Sequence, residues 1–232
     1  MSRFNYAILQ PGSIKAKPNG RLIPFAEHRS TSVVLWPEGH SPSIENTILT
    51  DPCLTAEGYQ HSMEVLSELG VTFAEIGYVF ITHQHNDHII RFPKGILKPA
   101  FRRFNPSDDI WSSEIRTSFY PGHSADLKSL IFHSSSGDTM CIAGDAILNE
   151  EWLRAWQYFW PNRYSQAEII QTWKSVAAIV ASSDVIIPGH GAPISVSVAL
   201  IKELLSGFPA AQHSDRCEEV AQVLKNRLAE LV

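Results

Sequence analysis

The chain has 232 residues, of which 44% are hydrophobic and 19% are charged, and its formal net charge is −5 at pH 7. A chain of this length can bury a substantial core as one unit, so we predict a single domain over residues 1–232. The acidic balance argues against a surface covered with basic charge for nucleic acid, and the sequence has no apolar run long enough to span a membrane.

The three cysteines are far apart and form no CxxC pair. This usage fits a reducing compartment better than a disulfide scaffold. The first ten residues also lack the charged start and the apolar run of a signal peptide. We therefore predict a cytoplasmic protein.

Alternating and short apolar runs, separated by Pro and Gly, predict β-strands in the first third of the chain, followed by a helix and a buried strand. The predicted strands are 4–9, 32–36, 46–50 and 76–82, and the predicted helix is 56–69. Gly70 is the stop signal of this helix.

Three more strands and three helices are predicted in the second part of the chain, with a further short strand among the helices. The strands are 115–120, 129–133, 139–143 and 184–187, and the helices are 166–181, 196–205 and 214–231. Strands, a helix, and then strands and helices again predict an α/β fold in which two sheets lie between helices.

Four candidate metal ligands occupy six consecutive positions after the strand at 76–82. They are His83, His85, Asp87 and His88. Imidazole and carboxylate suit zinc and neighbouring divalent metals, and a bound dication requires the neutral ring, which removes the repulsion between protonated histidines. His83 and His85 can point the same way from an extended segment, whereas Asp87 and His88 diverge, so one segment could serve two metals.

Three further candidates each follow a predicted strand. His123 stands in Pro-Gly-His, Asp145 follows Ala-Gly, and His190 again stands in Pro-Gly-His. A single histidine or aspartate at the end of a strand is a weak signal. The three in this order after the cluster are a strong one.

With these motifs the chain resembles the metallo-β-lactamase-fold superfamily over nearly its whole length. The resemblance implies an αβ/βα four-layer sandwich with a metal site along one edge. It also implies that His83, His85 and His123 hold one divalent ion, that Asp87, His88 and His190 hold a second, and that Asp145 bridges them. We expect zinc, with iron or manganese as alternatives. Asp51, which matches an early aspartate of the family, would orient a ligand imidazole through its other ring nitrogen.

Two ions at such a site can share a water, lower its pKa and present hydroxide at neutral pH. Asp87 is the candidate catalytic residue, because a free carboxylate oxygen could orient the hydroxide or carry a proton to the leaving group. An aspartate at position 145, where the common zinc β-lactamases have cysteine, resembles the glyoxalase II, lactonase and phosphodiesterase branches. The interval between His88 and His123 and the run 183–191 resemble glyoxalase II-like members.

The sequence departs from the family where His88 is followed by Ile89-Ile90-Arg91, because the family has a glycine or two there. It also lacks the tyrosine that the related lactonases keep shortly after Asp145. Arg91 is therefore a candidate substrate contact in a pocket whose shape could differ.

An aromatic stretch supplies further candidate substrate contacts. Trp152, Trp156 and Trp160 recur every fourth residue, which is one helical face. They could form a wall or lid over the substrate, pack into the core, or form a dimer surface. The basic residues between Arg91 and Arg103 could bind a phosphate or a carboxylate, or they could be a solvated loop. The remaining histidines, predicted to be ordinary surface or core residues, are His28, His40, His61, His133 and His213.

The leading hypothesis is a dinuclear hydrolase that acts on a small ester, thioester or amide. One alternative is a phosphodiesterase or ribonuclease with the same metals, which the basic run favours and the net acidity disfavours. Another is a mononuclear iron persulfide dioxygenase. A non-catalytic binding protein is disfavoured, because every ligand is present. We expect a small-molecule partner and no membrane partner, and the sequence leaves a homodimer open.

Overall fold

Ten strands and five α-helices form within residues 3–108, 111 and 115–232, the part of the chain that the computed structural model describes. The strands are β1 (Phe4–Gln10), β2 (Ser32–Pro37), β3 (Ile48–Thr50), β4 (Tyr78–Phe80), β5 (Arg102–Arg103), β6 (Arg116–Phe119), β7 (Lys128–His133), β8 (Thr139–Gly144), β9 (Val185–Pro188) and β10 (Ile194–Ser195). The helices are α1 (Ala56–Glu68), α2 (Glu150–Arg154), α3 (Gln166–Ser182), α4 (Val198–Gly207) and α5 (Glu219–Glu230).

The strands form two five-stranded sheets, with the orders β1-β2-β3-β4-β5 and β10-β9-β8-β7-β6. Both sheets are mixed, since β3 runs parallel to β4 and β8 runs parallel to β9, whereas β1–β2 and β7–β8 are antiparallel. Helix α1 packs on the first sheet, and α3, α4 and α5 pack on the second. The predicted α/β sandwich of two sheets between helices is confirmed.

Successive residues of a strand face opposite sides of its sheet, and this alternation builds the layers. In β7, Leu130 and Phe132 face the apolar layer between the two sheets, and Ile131 faces the helices. In β2, Val33 faces the layer between the sheets and Val34 faces α1. Because both faces are covered, these strands are nearly continuous apolar runs rather than alternating ones. Each buried side chain of this kind stabilises the fold by about 1.5–3 kcal/mol.

Side-chain caps define where the main helices begin. The Thr55 hydroxyl accepts a hydrogen bond from the Gly58 N–H at the start of α1. At the start of α3, Ser165 and Glu168 form a reciprocal capping box. Such caps satisfy backbone N–H groups that have no partner within the helix. Among the described residues, no helix combines the length and the apolar composition required to cross a bilayer.

Two predicted helices differ from the structure. The helix expected over 214–231 begins only at Glu219, because 214–216 form a 3-10 turn and the buried Cys217 has non-helical torsion angles. The aromatic stretch 152–160 is not one helix either. Helix α2 ends at Arg154, and Trp156 adopts a left-handed conformation with φ of 47°.

The pairing of the strands brings the candidate ligands together. Parallel neighbours end at the same edge of a sheet, so the residues after β3 and β4 meet, as do those after β8 and β9. The two sheets are joined at this edge, where the Lys128 N–H donates to the Thr82 carbonyl at 3.0 Å and the Thr31 N–H donates to the Gly189 carbonyl at 2.7 Å. The site therefore lies where four strand ends converge.

Candidate metal centre

One group of donor atoms comes from three histidines and Asp145. His85 Nδ1 lies 3.0 Å from His83 Nε2 and 2.9 Å from His123 Nε2. Asp145 Oδ2 lies 3.3 Å from His123 Nε2 and 3.9 Å from His83 Nε2. These four residues, which we call the first group, are those that the sequence assigns to one metal and its bridge.

A second group forms around the other carboxylate oxygen of Asp145. Asp145 Oδ1 lies 3.1 Å from both His88 Nε2 and His190 Nε2. Asp87 Oδ2 lies 3.5 Å from His190 Nε2. In each group, the donor atoms all lie within 4.8 Å of one another. Asp145 therefore belongs to both groups: Oδ1 is the oxygen nearest the second group, and Oδ2 faces the first group but also lies 3.3 Å from His190 Nε2.

The donor atoms fit divalent metal ions. Tetrahedral zinc with ligands at about 2.0–2.1 Å separates those ligands by about 3.3 Å, close to the spacings found here. His88 Nε2 and Asp145 Oδ1 are buried and lie 3.1 Å apart, but neither is aligned for a hydrogen bond with the other or with any other described residue. Leaving such atoms without a partner is costly, and a cation between them would coordinate both.

Two of the seven candidate ligands reach the protein surface. The side chains of His85 and Asp87 are partly exposed, so a small molecule would approach past them. The other ligand candidates are at most 7% exposed: His83, His88, His123, Asp145 and His190.

Hydrogen bonds from the protein orient the buried imidazoles of the second group. His88 Nδ1 donates to Asp51 Oδ2 at 2.8 Å, which directs Nε2 toward Asp145. His190 Nδ1 donates to the Arg29 carbonyl at 2.9 Å in the same way. Asp51 thus lies where the family resemblance places an orienting carboxylate. Its backbone is in the left-handed region, with φ of 41°, a strained conformation of the kind that is concentrated at functional sites.

Two hydroxyl groups orient imidazoles of the first group. The Thr82 hydroxyl donates to Asp51 at 2.7 Å and accepts from His83 Nδ1 at 3.1 Å. The Tyr164 hydroxyl lies 2.8 Å from His123 Nδ1. Burial raises the pKa of Tyr164 well above its ordinary value, so the phenol stays neutral. With Nδ1 protonated, His83 and His123 both direct lone pairs toward His85, an arrangement that a cation satisfies.

The two groups differ in their protonation. Burial lowers the pKa of His83 to about 4 and that of His123 to about 3, so both imidazoles are neutral at pH 7. Burial also opposes protonation of His88 and His190, but the Asp145 carboxylate outweighs it and raises the pKa of each. In turn, the nearby His190 and His88 overcome the effect of burial and hold the pKa of Asp145 well below its ordinary value.

His28 contacts the site, so it is not the ordinary surface or core histidine that the sequence predicts. Its Nε2 lies 2.8 Å from Asp87 Oδ2, and its ring lies 4.5 Å from the His190 ring. Burial would raise the pKa of Asp87, but the hydrogen bond from His28 and the neighbouring His88 lower it below its ordinary value. No spacing motif contains His28, so only the folding of the β1–β2 connection over the site reveals it. Tyr164 likewise has no sequence signal.

Arg91 does not join the donor groups. Its side chain is exposed, and no hydrogen bond or ion pair among the described residues connects it to them. Its backbone donates to the Pro52 carbonyl at 2.9 Å and accepts from the Leu54 N–H at 2.8 Å. The segment after His88 is thereby aligned with the segment after Asp51.

The three tryptophans divide between two environments. Trp152 and Trp156 are buried, and both line a small apolar pocket beside His123 and Asp145. The Trp156 indole N–H also donates to the Leu204 carbonyl at 2.9 Å, which fixes the ring in the core. Trp160 is 50% exposed. The stretch is therefore mainly core, with its inner face toward the site.

Gly122 is expected to be essential for placing His123. It has φ of 135°, and a Cβ there would lie 2.6 Å from the Thr172 backbone nitrogen. Replacing it by Ala should destabilise the protein by more than about 3 kcal/mol and reduce metal binding by the first group. Gly39 is the control, because its φ is 77° but nothing lies within 4 Å. Gly39→Ala should cost only about 1–2 kcal/mol. Urea unfolding of the metal-free variants measures the loss of unfolding free energy in each. Equal losses in the two variants would contradict the prediction.

Comparisons with known proteins place these residues in a known architecture. No protein-family model matches the chain. Metallo-beta-lactamase domain-containing protein 1 of Xenopus laevis is 28% identical over 159 residues, covering 58% of this chain and 62% of that protein. The chain thus spans less than two thirds of that relative's length.

Two solved structures resemble most of the fold. A Thermotoga maritima protein provisionally described as a metallo-β-lactamase superposes with a TM-score of 0.55 and 17% identity, over 83% of this chain and 99% of that one. A Staphylococcus aureus protein described as a probable metal-dependent hydrolase gives a TM-score of 0.53 and 13% identity, over 82% of this chain and 90% of that one. Similarity of this kind establishes architecture and not activity. The chain has the metallo-β-lactamase fold, as its histidine motifs predict.

Proposed function

We propose that the protein is a metal-dependent hydrolase with a dinuclear site, acting on a small ester, thioester or amide. The observation that carries the proposal is the shared carboxylate, since donor atoms of both groups surround Asp145. His83, His85 and His123 would hold one ion, and Asp87, His88 and His190 the other. The nitrogen and oxygen donors suit zinc, with iron or manganese as alternatives.

The proposed chemistry requires no side-chain nucleophile. Bound at such a site, divalent ions activate water at neutral pH and polarise the oxygen that becomes negative on attack. The protein's own contribution is to hold the imidazoles in fixed orientations, through Asp51, Thr82, Tyr164 and the Arg29 carbonyl. Fixed ligand groups require little rearrangement during the reaction.

Asp87 is the proposed catalytic residue beside the metals. Its Oδ2 faces His190 and accepts from His28, whereas Oδ1 has no hydrogen-bond partner among the described residues. The side chain is 19% exposed, so Oδ1 is available to orient the attacking water or to carry a proton to the leaving group.

Asp87→Asn is expected to separate these roles. The amide keeps the shape of the side chain but cannot carry a proton, so turnover should fall about 100-fold or more, whereas metal content falls less. Turnover of the metal-loaded variant is compared with its metal content by mass spectrometry. Equal losses of turnover and metal would leave Asp87 only a ligand role.

A phosphodiesterase is the second candidate, and one observation favours it. Arg103 and Lys128, together with the acidic Asp126, line a groove that includes Thr82 and Gln84, the residues on either side of His83. Cations in such a groove could bind a phosphate next to the metals. Arg102 is engaged elsewhere, because it donates to the Ile44 carbonyl and lies over the Tyr78 ring.

A substrate screen of the purified, metal-loaded protein tests these proposals. Nitrophenyl esters, a thioester, a lactone, an amide and bis-nitrophenyl phosphate are compared at equal metal content. Faster turnover of the carbonyl substrates supports the leading proposal, and faster turnover of the phosphodiester supports the second. A single iron per chain with oxygen uptake on a persulfide would overturn both in favour of a dioxygenase.

A further inference from the structure

The connection between β1 and β2 folds over the second group and carries His28. The segment is tied back on itself by two backbone hydrogen bonds of 2.9 Å between Ser13 and Arg29. It is tied to the site as well, because the Arg29 carbonyl accepts from His190 and the Thr31 N–H donates to the Gly189 carbonyl at 2.7 Å. The backbone next to His28 is therefore fixed relative to His190.

The His28 side chain makes two different kinds of contact with the site. Its ring lies between the rings of His190 and Phe159, with centroid separations of 4.5 and 5.6 Å and interplanar angles of 34° and 32°. Its Nε2 lies 2.8 Å from Asp87 Oδ2, and since a carboxylate only accepts, Nε2 is the donor. The first contact requires only a flat ring, whereas the second requires an N–H group.

The hydrogen bond reaches the Asp87 oxygen that faces the second group. Oδ2 is 3.5 Å from His190 Nε2, so a donor on this oxygen limits rotation of the carboxylate about its Cβ–Cγ bond. Asp87 is also less enclosed than Asp145, with 19% of its side chain exposed against 5%, and so it depends more on such a contact. His88 and His190 already have orienting partners in Asp51 and the Arg29 carbonyl.

We propose that His28 is a positioning residue that holds the Asp87 carboxylate toward the second group, and thereby strengthens binding of the second metal ion and not of the first. The inference rests on the proposed dinuclear site. It predicts that the connection between β1 and β2 is part of the metal centre and not merely a cover over it.

The test compares two substitutions that divide the contacts of His28. His28→Phe keeps a flat ring beside His190 but removes the donor. His28→Gln removes the ring but restores an N–H group at a similar distance from the backbone. His61→Phe, on the exposed face of α1, is the matched control. Zinc is titrated into each metal-free protein against a chromophoric chelator, which resolves the first and second equivalents.

We expect His28→Phe to lower the affinity for the second zinc ion about 10–100-fold, the range typical of groups that orient a metal ligand. The affinity for the first zinc ion and the urea midpoint of the metal-free protein should not change. His61→Phe should match the wild type in every measurement. His28→Gln should restore most of the wild-type affinity for the second zinc ion. Unchanged binding in His28→Phe, equal weakening of both equivalents, or no recovery in His28→Gln would each overturn the proposal. Wild-type protein with fewer than two equivalents would instead overturn the dinuclear site itself.

Discussion

Replacing Asp145 by Asn is expected to remove metal from both donor groups and to abolish hydrolysis. Asp145 directs Oδ2 to the first group and Oδ1 to the second, so one substitution alters both. The amide nearly matches the carboxylate in shape, but it lacks the charge, and its NH₂ group would point at one of the two groups. We expect zinc affinity to fall by more than about 100-fold at both, because the change is to a ligand and not to a group around it.

Asp215→Asn is the control for this substitution, since Asp215 is exposed and far along the chain from every donor. Metal content after gel filtration and chelator competition report the two affinities, and urea unfolding of the metal-free proteins reports the fold. Full retention of either equivalent by Asp145→Asn would show that the carboxylate does not bridge the two groups.

The two donor groups are expected to respond differently to pH. Because the pKa of His88 is raised well above its ordinary value and that of His190 is also raised, the metal-free second group holds protons at neutral pH. A metal ion must displace them, so its affinity should fall about tenfold per pH unit for each proton released. The pKa values of His83 and His123, about 4 and 3, lie below this range, so these residues release no protons on binding.

The raised pKa values of His88 and His190 mean that metal binding by the second group weakens as the pH falls. As the pH falls from 8 to 5.5, the second equivalent should weaken steeply and the first much less. Titration calorimetry in buffers of different ionisation enthalpy counts the protons released at each step. Equal proton release for the two equivalents, or greater release for the first, would contradict the assignment.

Most of the candidate site could be predicted from the sequence because its ligands are local features of strands. Each of Asp51, His83, Asp145 and His190 follows shortly after an apolar strand, and parallel pairing brings those strand ends to one edge. The strand pattern and the residue types predicted His83, Asp145 and His190 as candidates, whereas the division of the ligands between two metals and the roles of Asp145 and Asp51 came from the family resemblance. The same reasoning located eight of the ten strands and α1 to within a few residues, but not the short edge strands β5 and β10.

The sequence could not reveal contacts made by irregular segments. His28 lies in a loop, and it reaches Asp87 only because Ser13 and Arg29 pair and the segment folds over His190. Tyr164 stands in the loop before α3 and meets His123 across 41 positions of the chain. The spacing of Trp152 and Trp156 favours a helix, but burial of the Trp156 ring against Trp173 and its bond to Leu204 require a left-handed turn instead.

The most direct test is the number of metal ions bound per chain. Metal-free protein is dialysed against zinc at pH 8, passed through a desalting column and analysed by mass spectrometry, with protein concentration from amino-acid analysis. Two donor groups that share Asp145 predict two zinc ions per chain in the wild type and fewer than one in Asp145→Asn. Wild-type protein that retains one ion or none under these conditions would contradict the dinuclear centre.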